Sequence, residues 1–79
     1  MAVQHGKQSR IVKHTVIVSG RKSSISLENE FWHALDEIAE AGGTTRANLI
    51  SAIDQRRSHA NLSSTVRLFV LAYYRGSGR

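Results

Sequence analysis

The sequence predicts a mainly α-helical domain with one β-strand per chain, completed by a second copy of itself. Three observations carry that prediction. Residues 22–27 alternate, with Ser23, Ile25 and Leu27 on one side and Lys22, Ser24 and Ser26 on the other, which is the period of a half-buried strand. From Glu28 onward the apolar residues change to helical spacing, and three such runs follow. The chain has 79 residues and no cysteine. A chain this short buries only about 60% of its unfolded surface, and small domains usually add a disulfide, a metal or a partner. Disulfides are excluded, and the four histidines (His5, His14, His33, His59) are too scattered for a zinc spacing. A partner chain is the remaining staple.

The elements follow in order. Residues 1–14 are basic and polar and read as a flexible N-terminal arm, ahead of a domain over 15–75. Val16, Ile17 and Val18 are β-branched, Ser19-Gly20 interrupts, and the strand follows. The first helix, about 28–41, has Phe31, Leu35, Ile38 and Ala39 on its apolar side and Glu28 and Glu30 in its first turn, where acids complement the dipole. Gly42-Gly43 ends it. Thr44 or Thr45 caps a second helix whose apolar face is Ala47, Leu49, Ile50 and Ile53. Asn61 or Ser63 caps a third, in which Leu62, Val66, Phe69, Val70 and Tyr73 recur at helical spacing beside Leu68 and Leu71. So wide an apolar surface expects burial on more than one side. Residues 76–79 read as a loose tail.

Charge is distributed unevenly. The net formal charge is +5, and residues 1–27 hold Lys7, Arg10, Lys13, Arg21 and Lys22 with no acid. All six acids lie in 28–54, where Asp36, Glu37 and Glu40 read as a solvated helix face. An acid-free basic segment in a small chain points to an anionic polymer. No run approaches the ~18 apolar residues of a membrane span, and the N-terminus lacks a signal-peptide stretch. A cytoplasmic, nucleoid-associated protein is expected.

A lone short strand leaves its backbone groups unpaired. Two copies pairing antiparallel would supply each other's ladder. Ile25 and Leu27 would then lie on a shared buried face, and Lys22, Ser24 and Ser26 on an exposed one. A two-stranded ribbon fits a DNA major groove about 12 Å wide. The expected dimer core comprises Ile25, Leu27, Phe31, Trp32, Leu35, Ile38, Ile50, Val66, Phe69, Val70 and Tyr73.

The phrase RKSSISLENEFWHALDEIAEAGGTTRANLISAI, 21–53, resembles the ribbon-helix-helix family of bacterial repressors, and NLSSTVRLFVLAYY, 61–74, resembles a branch with an additional C-terminal helix. The resemblance implies an intertwined homodimer with an intermolecular antiparallel ribbon. It also implies sequence-specific binding of double-stranded DNA as a transcriptional repressor, with dimers able to assemble further on DNA. Three alternating outward residues would read bases, by position Lys22, Ser24 and Ser26. Two serines here depart from the commoner Arg, Asn, Gln or Lys. The family's phosphate clamp at a helix N-terminus falls on Thr44, Thr45 and Arg46, or on Asn61–Ser64. Arg21 flanks the ribbon as a phosphate contact, and Lys7, Arg10 and Lys13 follow the backbone or enter a neighbouring minor groove.

Competing classes are weaker. Trp32 and the other aromatics suit packing better than base stacking. An enzyme needs an acid/base or nucleophile constellation in a cavity, and none is legible. No cofactor, metal or small-molecule substrate is implied; His33 and His59 read as surface histidines. The rival is an antitoxin-like or adaptor module that binds a protein partner and regulates itself through DNA; the 1–14 arm is the one segment that suits that role.

Overall fold

In a computed structural model, which describes residues 10–56 and 61–77, the chain runs β1 (Ile11–Val18), β2 (Arg21–Glu28), α1 (Asn29–Ala41), α2 (Arg46–Arg56) and α3 (Leu62–Ser77). The strand expected before the first helix is present as β2, but it is not alone. Residues 11–18 pair with it antiparallel along its whole length, from Ile11 opposite Glu28 to Val18 opposite Arg21. Among the described residues there are therefore two strands where one was expected, and β2 obtains a ladder within its own chain. Ile11–His14, placed by the sequence reading in the arm, belong to β1. Lys7 and the rest of residues 1–9 lie outside the described residues.

The reversal is made by Ser19 and Gly20 alone. Both have positive φ, 52° and 82°, as two-residue hairpins matched to the twist of their strands require. At the other end, the Asn29 amide donates to the Arg10 carbonyl at 2.8 Å. That bond fixes the alternation of the ladder, so 12/27, 14/25, 16/23 and 18/21 are the hydrogen-bonded pairs. It also satisfies one of the amides that a helix start leaves without an internal partner.

The hairpin is one layer and the helices are the other. α2 packs along β1, whereas α1 and α3 pack along β2. The inward sides of both strands and the apolar faces of the helices form one core: Val18, Ile25, Leu27, Trp32, Leu35, Ile38, Ile50, Ile53, Val66 and Val70. Eight of the residues expected to form a shared dimer core are thus buried within one chain. Phe31 and Phe69 pack against that core partly exposed. Tyr73 is 37% exposed and lies outside it.

Helix ends follow local chemistry. Gly43, at φ +70°, terminates α1, and the Thr44 amide donates back to the Ala39 carbonyl. Thr45 Oγ1 accepts from the Asn48 amide at 3.1 Å and caps α2. Asn61 Oδ1 accepts from the Ser64 amide at 2.9 Å and caps α3. The third helix continues through Gly76 and Ser77, two residues expected in the loose tail.

Candidate nucleic-acid interface

The hairpin has two chemically different faces. Inward lie Val12, His14, Val16 and Val18 from β1, with Ser23, Ile25 and Leu27 from β2. Outward lie the four non-hydrogen-bonded pairs: Ile11 with Glu28, Lys13 with Ser26, Thr15 with Ser24, and Ile17 with Lys22. Lys13, Thr15, Ile17, Lys22 and Ser24 are exposed, and Ser26 is half-buried. The sheet register thus places the three expected base-contacting residues, Lys22, Ser24 and Ser26, in one row on the open face. Arg21 sits exposed beside the turn, and Arg10 is exposed where the hairpin begins.

Trp32 holds the hairpin to the helices. Its indole Nε1 donates to the Val12 carbonyl at 2.9 Å, and its side chain is almost wholly buried. His14 meets the ring edge-on at a centroid separation of 4.6 Å. The Arg46 guanidinium carbon lies 4.8 Å from the ring centroid, within the range of a cation–π contact. The packing role weighed for Trp32 is the one the fold gives it.

Arg46 is also held by Asp36 in a two-pronged pair, Nε to Oδ1 at 2.8 Å and Nη2 to Oδ2 at 2.7 Å. The hydrogen bond from Arg46 holds the Asp36 carboxyl below its ordinary pKa, with its charge, His33 and His14 adding to the effect. Arg67 does the same for Glu28: its Nε donates to Oε1 at 2.9 Å, and that bond is the largest cause of the lowered Glu28 pKa. Glu37 accepts from the Tyr74 hydroxyl at 2.9 Å, which pushes the phenol's pKa up. The first-helix acids Asp36, Glu37 and Glu40 are exposed, as expected, and two of them carry side-chain partners. These partners are 10 to 39 positions apart in sequence, and no local spacing signals them.

The pair with Glu28 has a consequence for the open face. Glu28 is the one acid on it, at the end farthest from the turn, and Arg67 balances its charge. The remaining ionisable groups of that face are Lys13 and Lys22. Thr44 and Thr45 are exposed at the start of α2. Arg46 keeps N–H donors beyond the two spent on Asp36, with its charge partly balanced. Among the described residues, no group of three or more His, Asp or Glu side chains is placed to hold a metal. No helix among them is long and apolar enough to cross a membrane.

The described residues thus form a basic, hydroxyl-bearing β-hairpin laid over a layer of three helices. The ribbon-helix-helix domain model matches residues 11–74, and the chain belongs to that DNA-binding family, with a third helix beyond the strand-helix-helix core. No curated protein matches. Among solved structures, an uncharacterized protein from Bordetella pertussis Tohama I is similar, with a TM-score of 0.76 and 27% identity. The match covers 95% of this chain and 66% of that one, so this chain spans just under two thirds of its length.

Proposed function

We propose that the protein is a homodimeric, sequence-specific double-stranded DNA-binding protein acting as a transcriptional repressor, and that it reads the major groove with the open face of its ribbon. The observation that carries this reading is the outward row of Lys22, Ser24 and Ser26 on a strand whose opposite side is buried. An ammonium can donate to guanine O6 and N7, and a serine hydroxyl can donate to or accept from either purine. Arg10 and Arg21 flank the row as phosphate contacts, and the N-terminal end of α2, with Thr44, Thr45 and Arg46, offers a second anchor.

Two features support a dimer. Ladder alternation turns the N–H and C=O groups of Lys22, Ser24 and Ser26 toward the edge of β2 away from β1, where no other described strand pairs. On α3, Leu68 and Leu71, three positions apart, are 63% and 50% exposed. A second chain covering either feature would give the protein two-fold symmetry. The target would then contain paired half-sites, with further dimers on adjacent ones.

Selection of bound duplexes from a random pool, followed by titration of variants, tests the reading. Lys22→Ala weakens the selected duplex by about 1–3 kcal/mol and relaxes one position of its sequence, while Arg10→Ala weakens all duplexes alike. Equal losses on every duplex from both variants would remove Lys22 as a reader.

A further inference from the structure

Resting on that reading, we infer that β1 supplies half of the base-reading surface, with Lys13, Thr15 and Ile17 reading bases alongside Lys22, Ser24 and Ser26. The register is the first support. Lys13 stands opposite Ser26, Thr15 opposite Ser24 and Ile17 opposite Lys22, all as non-hydrogen-bonded pairs. In such pairs the side chains project together from one face, about 5 Å apart at Cβ. A groove that receives the β2 row therefore receives the β1 row with it. The backbone separation of about 4.8 Å between strands is well inside the major-groove width of about 12 Å, so the second chain joins at α3, because pairing at the β2 edge would make a four-stranded sheet about 14 Å across.

The second support is chemical. Ile17 is 52% exposed on the open face and is not among the hydrophobic residues packed against the core. A thymine C5-methyl is the one apolar group a base presents in the major groove. Ile17 beside Lys22, and Thr15 with both a methyl and a hydroxyl, suit a thymine next to a guanine. Lys13 and Lys22 are displaced from one another by four residues along the ribbon. That is roughly 13 Å, or about four base pairs for a ribbon lying along the groove. One hairpin then specifies two guanines about four base pairs apart, with thymine favoured beside the one facing Lys22.

The experiment is duplex selection from a random pool with the full-length protein, repeated with Ile17→Ala, Thr15→Ala and Lys13→Ala, each checked for an unchanged thermal transition. Ile17→Ala should lose several-fold of the preference for thymine over uracil at one position, since uracil differs only by the methyl. Lys13→Ala should relax a guanine about four base pairs from the position relaxed by Lys22→Ala, on the order of tenfold. Ile17→Val should retain most of the thymine preference. If the unaltered protein selects no sequence, the reading of the ribbon as a specific reader fails. If it selects a sequence and Lys22→Ala relaxes it, while the three β1 variants leave every position unchanged or weaken all duplexes alike, that reading stands and the role assigned to β1 is overturned.

Discussion

Replacing Trp32 with phenylalanine should cost about 2–4 kcal/mol of folding stability. The change removes the Nε1 donor to the Val12 carbonyl, a bond of 2.9 Å. It also removes part of a ring that is 1% exposed and contacts both His14 and Arg46. The hydrogen-bond loss belongs at the low end of its range, about 0.5–1.5 kcal/mol, because the Val12 carbonyl keeps its place in the hairpin ladder opposite Leu27. The vacated ring volume is the larger effect, at about 1–3 kcal/mol for a partial truncation of a buried aromatic. A domain of this size has a total stability of only about 4–12 kcal/mol, so the shift is readily measured. Urea unfolding followed by circular dichroism gives the free energy, and amide exchange shows where protection is lost. Exchange should accelerate most in β1, whose tether to α1 is this indole. A loss below about 1 kcal/mol, with β1 protection unchanged, would refute the claim that Trp32 fastens the hairpin to the helices.

Other expectations follow from the same geometry. Ile25→Lys should abolish the folding transition because it drives a charge into the core, while Ser24→Lys should leave it intact; the reverse outcome would show a strand register displaced by one residue. Gly43→Ala should cost about 1 kcal/mol through its positive φ, whereas Gly42→Ala, at φ −91° with ordinary contacts for an added methyl, should be nearly neutral in thermal unfolding. Asp36 and Glu28 have lowered pKa values in the folded chain, so their stabilisation is present above the unfolded carboxylate range and lost as pH falls through the folded values. Stability should therefore drop from about pH 5 downward, and Asp36→Asn with Glu28→Gln should flatten that slope in urea unfolding at pH 7 and pH 3.5. DNA affinity should fall steeply between low and high salt in fluorescence anisotropy, with a smaller slope for Arg10→Ala.

Much of this architecture could be read from the residues. The alternation of 22–27 marked β2 and its two faces, Gly42-Gly43 closed α1, and Thr45 and Asn61 proved to be caps among the candidates named. β1 was obscured because its alternation is masked from both sides. Its outward row carries Ile11 and Ile17, and its inward row carries His14, so IVKHTVIV shows no clean period of two. The available signal was the spacer: two residues, Ser19-Gly20, between β-branched runs are a hairpin signature. A hairpin at that spacer gives β2 its neighbour and keeps Ile25, Leu27 and Val66 in the chain's own core, where a partner chain is expected from β2 alone. The pairs Asp36–Arg46 and Glu28–Arg67 depend on how helices and strand meet, which only the assembled fold supplies. For the candidate site, residue types and face were legible for β2, while the company β1 brings to that face was not.

The most direct test of the central claim is to record intermolecular nuclear Overhauser effects between the labelled protein and a selected duplex. Contacts are expected from the side chains of Lys22, Ser24 and Ser26 to major-groove base protons, with none from Ile25 or Leu27. Base-proton contacts arising instead from the starts of α2 or α3, with the ribbon silent, would contradict that claim.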